Sequence, residues 1–185
     1  MPKYILFFFA LALTWSCNNA EATKKPGSKE DPYFFDLAGF FNAEIKQLNS
    51  AQTKANKTVK YNEKEDVVSN QKLDYEKELA VFVHSDINKL SWREKYQGDT
   101  IKEGNEILSI TYKALDDQLK TRSIAISFEQ NQVTQIAIQN RLKSIMASTW
   151  QKLEYVPGKG YEVHGKQQMR LAGEDTMGIE VDFKE

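Results

Sequence analysis

The sequence predicts an α+β domain, with two N-terminal helices packed on a curved, mostly antiparallel meander sheet of about six strands, plus a short hairpin. Between residues 34 and 89, apolar residues recur at spacings of three and four, which is typical of amphipathic helices. From Glu106 onward, apolar and polar residues alternate, as they do in half-buried strands. No helix-length segment separates the alternating runs, so we expect sequential strands to pair antiparallel.

Two stretches carry the helical pattern. Asp31 and Pro32 suit the N-cap and the first helical position, and the apolar stripe after them consists of Phe34, Leu37, Phe41, Ile45 and Leu48. A second helix is expected over residues 71–89, with an apolar line formed by Leu73, Ala80, Val83 and Ile87. Between them, residues 58–61 and 65–68 predict a short exposed hairpin. Both helices are expected to cover the apolar face of the sheet.

The registers of the strands follow from the rule that paired residues share a face. Turns near residues 116–118, 130–132, 157–160 and 173–175 would pair Ile110 with Ile126, Ile126 with Ile136, Leu153 with Val163, and Met169 with Ile179. If Asn140 pairs with Met146, the alternation loses phase after Trp150. A β-bulge near residues 151–152 would restore the phase and curl the sheet; the alternative is that both faces are buried there.

The N-terminus carries an export signal. Lys3 provides a positive charge, and an uninterrupted apolar run of ten residues extends from Tyr4 to Leu13. A helix of that length reaches only about 15 Å, half the hydrocarbon core of a bilayer. The run is therefore typical of a signal peptide rather than of a permanent membrane span, and we expect residues 1–16 to be removed on export.

The residues around the single cysteine, LTWSC at positions 13–17, resemble the lipobox of bacterial lipoproteins. In this sequence Leu13 stands four residues before the cysteine instead of the usual three, and Trp15 occupies the position of a small residue. The resemblance implies that Cys17 is lipidated and anchors the protein to a membrane of the bacterial cell envelope. Cleavage after Ala22, at the end of an A-x-A sequence, is the alternative, and it would release a soluble periplasmic or secreted protein.

The remaining composition indicates one exported domain on a tether. Residues 17–30 comprise the lipidated cysteine and a polar segment with Pro and Gly, which is typical of a flexible linker. Residues 31–185 have the size of a single domain. The formal net charge of −1, with both signs interspersed, does not favour nucleic-acid binding. A single cysteine cannot form an internal disulfide, so the domain depends on its hydrophobic core.

The residue types that usually carry chemistry do not form a catalytic constellation. His84 and His164 have no metal-ligating residue at i+4 and no cysteine beside them. Asp116 and Asp117 are adjacent in a predicted turn, where carboxylates usually face water. The serines have no G-x-S-x-G context. We therefore expect no catalytic residue, no metal site and no cofactor, and a protein that is not an enzyme.

Two groups of residues are candidates for an interface. Trp92, Arg93 and Tyr96 follow the second predicted helix, and an aromatic and arginine group of this kind is typical of interface anchors; the alternative is that Trp92 packs back on the core. The second group lies on the polar face of the central strands, where the side chains are small, and consists of Ser123, Ala125 and Ser127. Such a flat face could receive a partner, although solvated serines would explain it equally.

These observations favour a non-enzymatic envelope lipoprotein whose globular domain binds another component of the envelope. The export signal, the tether and the missing catalytic constellation support this function. The alternative is a carrier or sensor of a small apolar ligand or lipid held between the sheet and the helices. This alternative depends on an analogy at the level of fold alone.

Overall fold

A computed structural model describes residues 33–171 and 173–184. The predicted signal peptide (residues 1–16), Cys17 with its tether (residues 17–30), and the cleavage site after Ala22 lie outside the described residues. The described elements follow one another in the order α1 (Leu37–Ser50), β1 (Lys54–Tyr61), β2 (Lys64–Lys72), α2 (Tyr75–Glu78), α3 (Ala80–Val83), a 3₁₀ turn (Leu90–Trp92), β3 (Tyr96–Glu103), β4 (Glu106–Ala114), β5 (Thr121–Glu129), β6 (Gln132–Lys143), β7 (Ala147–Val156), β8 (Gly160–Met169) and β9 (Gly173–Lys184).

The strands form one nine-stranded sheet with the order β2-β1-β9-β8-β7-β6-β5-β4-β3. All neighbouring strands are antiparallel. The prediction of about six strands packed against two helices is therefore wrong, whereas the antiparallel arrangement is confirmed. The sheet is larger for two reasons: the predicted hairpin joins it because β1 pairs with β9, and β3 forms at its edge.

The strand β3 shows why local pattern underestimates the sheet. Tyr96 is buried and every other residue of β3 is exposed, so the strand lacks the alternation that identifies a half-buried strand. It forms because its backbone pairs with β4, from Tyr96 opposite Ala114 to Glu103 opposite Glu106. An edge strand held by backbone hydrogen bonds leaves little trace in its side chains.

The helical part differs from the prediction at both positions. The cap of α1 is Asp36 instead of Asp31, and its Oδ1 accepts a hydrogen bond from the backbone N of Gly39 at 2.8 Å. The predicted apolar stripe is confirmed from Leu37 onward, since its four helical members are buried. The single helix over residues 71–89 is wrong. Two four-residue helices replace it, separated at Leu79, and their buried side chains, rather than their length, hold them in place.

Most of the strand pairings expected from the alternation are confirmed. Ile126 lies opposite Ile110 on one side and Ile136 on the other, and Leu153 lies opposite Val163. The turn between β5 and β6 contains two residues with positive φ, 49° and 62°, instead of the expected three-residue loop. A register shift next to this turn compensates for the missing residue, so the predicted apolar pairs still meet.

The pairing of β8 with β9 is the first expected register that is wrong. Met169 lies opposite Gly173, and Ile179 lies opposite Val163. The chain turns before Gly173 rather than at residues 173–175, so β9 is shifted along β8 relative to the prediction. Apolar residues still face each other, because the shift of six residues is even and a strand repeats every two residues.

The bulge predicted near residues 151–152 is also wrong. The ladder between β6 and β7 runs without interruption, and Asn140 lies opposite Gln151 instead of Met146. The two strands therefore keep one phase throughout. Trp150 faces away from the side that carries Leu153 and is only partly buried, so an apolar residue lies on each face of the sheet at this point, but the outer face is not buried as the alternative expected.

The two faces of the sheet have different surroundings. The helices pack on the covered face, whose buried residues include Ile126, Leu153 and Tyr155. The ring of Phe41 in α1 lies 5.0 Å from the ring of Tyr155 and 4.8 Å from that of Phe82 in α3. We call the opposite side the open face. Its side chains alternate with those of the core and are half-buried or exposed in the central strands.

Candidate functional site

The members of the first predicted interface group lie close together but differ in burial, with the rings of Trp92 and Tyr96 6.1 Å apart. Tyr96 is only 5% exposed, and its hydroxyl donates a hydrogen bond to the backbone oxygen of Thr121 at 2.9 Å. Burial raises the pKa of Tyr96 to about 12. Trp92 is partly buried against the core, whereas Arg93 is exposed with its guanidinium 5.3 Å from the ring of Tyr33. These three residues do not form one exposed anchor.

The second predicted group lies together on the open face of β5. Ser123, Ala125 and Ser127 are all partly exposed. Small side chains also flank them: Ala125 lies between Thr111 and Ala137. The group therefore belongs to a flat, uncharged strip that crosses β4, β5 and β6.

A groove of about 490 Å³ opens on the same face, next to this strip. We call it the basic groove, and its side chains are Arg122, Gln139, Arg141, Trp150, Lys152, His164 and Lys166. The ladder explains why they converge. Arg141, Trp150 and Lys166 lie opposite one another in one row across β6, β7 and β8, and the next row contains Gln139, Lys152 and His164.

Trp150 and Arg141 form the centre of the basic groove. The guanidinium of Arg141 lies 5.3 Å from the centroid of the Trp150 ring, within the range of a cation–π interaction. The Nε of Arg141 is buried and has no hydrogen-bond partner in the described part of the chain. A buried donor without a partner is costly, and no described residue offsets this cost.

The cations of the groove differ in how their charge is balanced. Lys152 lies 2.5 Å from Glu154, His164 lies 3.1 Å from Glu162, and Lys166 lies 2.8 Å from Glu174. Within residues 33–171 and 173–184, neither Arg122 nor Arg141 forms a salt bridge.

Arg122 is held from the side by a hydrogen bond that its Nη1 donates to the backbone oxygen of Asp116. This contact fixes the side chain without neutralising its charge. The positive field of the groove therefore comes mainly from Arg122 and Arg141, which lie on adjacent strands.

Carboxylates limit the groove on one side. Glu154, Glu162 and Glu180 lie opposite one another in a single row across β7, β8 and β9. Like charges directly opposite each other repel, and they repel an anionic ligand as well. A negatively charged group in the groove is therefore favoured near the row of Arg141 and disfavoured near the row of Glu154.

The arrangement is suited to binding an anion next to a flat group. A guanidinium provides several donors in a fixed plane that matches a carboxylate or a phosphate, and Trp150 offers an aromatic surface. In the described part of the chain, no group of three or more His, Cys, Asp or Glu side chains is placed to hold a metal ion. His84, the other candidate ligand, is exposed at the end of α3.

Sequence reasoning missed the basic groove because its residues come from four strands. Trp150 and Arg141 are nine residues apart and meet only through the register of β6 and β7, which the sequence predicted incorrectly. The sequence contained one usable signal. Arg141, Trp150 and Lys152 are each an odd number of residues away from the buried apolar residues of their strands, so they lie on the opposite face. With the correct register, this parity places them on the open face.

Comparisons with known proteins give no family for this chain, since no family model, curated protein or solved structure matches it significantly. None of the helices within residues 33–171 and 173–184 is long and apolar enough to cross a membrane. The function has to be argued from the residues of the open face themselves.

Proposed function

We propose that this protein is a non-enzymatic envelope lipoprotein whose globular domain binds another envelope component through the open face of its sheet. The basic groove is the contact for an anionic group of that component, a phosphate or a carboxylate. The observation that carries the proposal is the pair of Arg122 and Arg141, which have no carboxylate partner among the described residues and lie beside Trp150. Unbalanced guanidinium groups next to a partly exposed aromatic ring are typical of binding surfaces.

The flat strip beside the groove supports an extended partner. Ser123, Ala125 and Ser127 present little relief and no charge, so a partner segment can lie across them while its anionic group enters the groove. The predicted interface on β5 thus becomes one half of a larger surface.

The sequence supports the cellular setting of this proposal. The export signal in residues 1–16 and the lipobox resemblance at Cys17 favour a membrane anchor, and residues 17–30 provide the tether. The anchor is tested by labelling with a fatty-acid analogue in the wild type and in Cys17→Ala. Equal label in both proteins would remove lipidation at Cys17 from the proposal.

The carrier alternative receives less support from the packing. It places a small apolar ligand between the sheet and the helices. The rings of Phe41, Phe82 and Tyr155 occupy this layer and lie within 6 Å of one another. A ligand at this position would have to displace aromatic side chains of the core, so we prefer the open face as the binding surface.

The binding proposal is tested by site-specific crosslinking of the full chain in intact cells. A photoreactive amino acid at Gln139 lies inside the groove, and one at Gln135 lies on the same face of the same strand, outside it. We expect discrete adducts from Gln139, and the double variant R122E/R141E should lose most of them, because it reverses the charge that attracts the partner.

The matched control is K46E/K159E, which changes the net charge equally at exposed positions outside the groove and the flat strip. This control should keep the adducts. Urea denaturation of both double variants separates a loss of binding from a loss of folding. An absence of adducts from Gln139, or equal yields in the two folded variants, would contradict the proposal.

A further inference from the structure

Apolar side chains are concentrated at one end of the sheet. The turn between β6 and β7 and the turn between β8 and β9 are adjacent there, because Ala147 lies opposite Met169. The backbone N of Arg170 donates a hydrogen bond to the backbone oxygen of Met146 at 3.0 Å, so the two turns are joined directly. We call the apolar residues of these turns the tip cluster: Leu142, Ile145, Met146 and Leu171.

The exposure of the tip cluster is unusually high for large apolar side chains. Ile145 is 86% exposed, Leu171 is 88% exposed, Met146 is 60% exposed and Leu142 is 45% exposed. Turn positions normally carry Gly, Pro, Asn, Asp or Ser. Contiguous apolar residues at the tips of two joined hairpins therefore indicate an interaction surface.

The opposite end of the sheet provides an internal comparison. Its turns are formed by Gly104–Asn105, Gln130–Asn131 and Pro157–Lys159, which are typical turn residues. Strands β6, β7 and β8 thus end in polar turns on one side and in apolar turns on the other. The turn between β1 and β2 (Asn62–Glu63) and the loop between β4 and β5 (Asp116–Gln118) also lie at the tip end and are polar. Folding alone does not require this difference, because both sets of turns close similar antiparallel hairpins.

Cations border the tip cluster closely. Lys143 follows Leu142 and Arg170 precedes Leu171, and both are exposed. Lys143 lies 3.9 Å from Asp117, whereas Arg170 forms no salt bridge with the described residues. Behind the tip, Arg141 continues the positive charge along the open face, whereas the charge of Lys166 is balanced by Glu174 at 2.8 Å. Apolar side chains bordered by Lys and Arg are suited to a bilayer surface, where the apolar groups enter the head-group boundary and the cations contact anionic head groups.

The path of the chain places the N-terminal segment at the same end. Phe34 packs 5.2 Å from the ring of Tyr112 and 5.9 Å from that of Tyr96. Tyr96 begins β3 at the end of the sheet where Leu115 and the tip cluster also lie. The tether predicted over residues 17–30 would span at most about 45 Å when extended, and Phe34, close to the first described residue, lies at this end.

We propose that the tip cluster inserts into the head-group region of an anionic lipid bilayer and orients the domain on the membrane. A bilayer fits better than a protein partner because the tip is convex, small and bordered by cations, and it needs no shaped pocket to receive it. The contact is weak by itself, since it buries few side chains, and it acts together with N-terminal attachment. It does not depend on the basic groove binding a partner.

The proposal is tested with the full chain carrying Cys17→Ala and one new cysteine labelled with an environment-sensitive fluorophore. The new cysteine is I145C or L171C in the tip, or K159C in a turn at the opposite end as the matched control. Vesicles contain phosphatidylcholine, with and without phosphatidylglycerol, and a quencher attached to the lipid. Co-sedimentation establishes how much of each chain is bound.

We expect the labels at positions 145 and 171 to shift to shorter wavelengths and to be quenched several-fold more than the label at position 159. This difference should be larger with phosphatidylglycerol. Equal quenching at the three positions overturns the proposal. A tip label whose emission is neither shifted nor quenched although the chain co-sediments also overturns the proposal. This result is expected if the natural partner of the tip is a protein. Failure of the chain to co-sediment with a large excess of anionic vesicles also overturns the proposal, because even a weak contact is populated when the lipid is in excess.

Two sets of substitutions separate the apolar and charged contributions. For these variants the tip label is placed at position 146 and the control label at position 159. I145S/L171S should remove the quenching difference between the two labels. The control L90S/I101S, which changes two other exposed apolar residues, should keep this difference. K143Q/R170Q should reduce the difference only in vesicles with phosphatidylglycerol. Unchanged quenching in I145S/L171S would overturn the proposal even if the chain still binds.

Discussion

The covered face and the open face of the sheet are built from the same strands but have different roles. In β5, Ile124 and Ile126 are at most 2% exposed, whereas Ser123 and Ala125 between and beside them are partly exposed. One face supplies the burial that stabilises the domain. The side chains of the other face contribute little to this burial. Charged and aromatic residues can therefore occupy that face without a large loss of stability.

The polar contacts of the two faces differ in the same way. On the covered side, the hydroxyl of Tyr155 donates to Glu44 at 2.5 Å and that of Tyr161 donates to Glu78 at 2.5 Å, linking the helices to the sheet. Glu78 also lies 2.6 Å from Lys57. On the open face, the ion pairs are exposed and local, and such pairs contribute little to stability.

The largest expected effect comes from placing a charge on each face of the same strand. Ile126→Lys buries an unpaired ammonium in the core and should lower the free energy of unfolding by about 4 kcal/mol or more. Ala125→Lys points the same side chain to the open face and should change it by less than about 1 kcal/mol. Urea denaturation followed by circular dichroism measures both. Similar losses in the two variants would mean that the open face is packed against something.

Alkaline pH should weaken the contacts of the covered face. Burial, together with hydrogen bonds to Glu44 and Glu78, raises the pKa of Tyr155 and of Tyr161 well above the ordinary range. The folded state therefore holds these protons more tightly than the unfolded chain, in which tyrosines titrate near pH 10. The contribution to stability is complete below about pH 10 and is lost progressively as the pH rises above it.

The pH effect is measured by urea denaturation from about pH 8 to about pH 12, with tyrosinate absorbance recorded in parallel. Tyr96, with its pKa raised to about 12, contributes in the same range. The double variant Y155F/Y161F should show a flatter decline above about pH 10, because it lacks two of the groups that titrate on unfolding. A decline as steep as that of the wild type would assign the effect to other groups.

The smallest expected effect concerns the cap of α1, which covers the sheet. Asp36→Ala removes the hydrogen bond to the backbone N of Gly39 and should cost about 1 kcal/mol. Asn42→Ala changes an exposed position within the same helix and should be neutral or slightly stabilising, because alanine has the higher helix propensity. Thermal and urea denaturation of both variants compare them. Equal stability of the two would show that the cap is dispensable.

The basic groove illustrates what could be inferred from residue types alone. The parity of Arg141 and Trp150 was available in the sequence, and it places both on the polar side of their strands. Their proximity was not available, because it depends on the three residues that join β6 to β7 and thereby set the register. The same holds for the tip cluster, whose two turns are neighbours only through the pairing of β7 with β8.

The sequence by itself determined the direction of the side chains within each element. A strand repeats every two residues and a helix about every 3.6, so the apolar residues of β5, β6 and α1 identify their buried sides without reference to any other element. The tertiary structure alone decided the number of strands and their partners. Lys54–Tyr61 pairs with Gly173–Lys184 across more than a hundred residues. Backbone hydrogen bonds can form with any extended strand, so the packing of the whole sheet decides which strand is the partner.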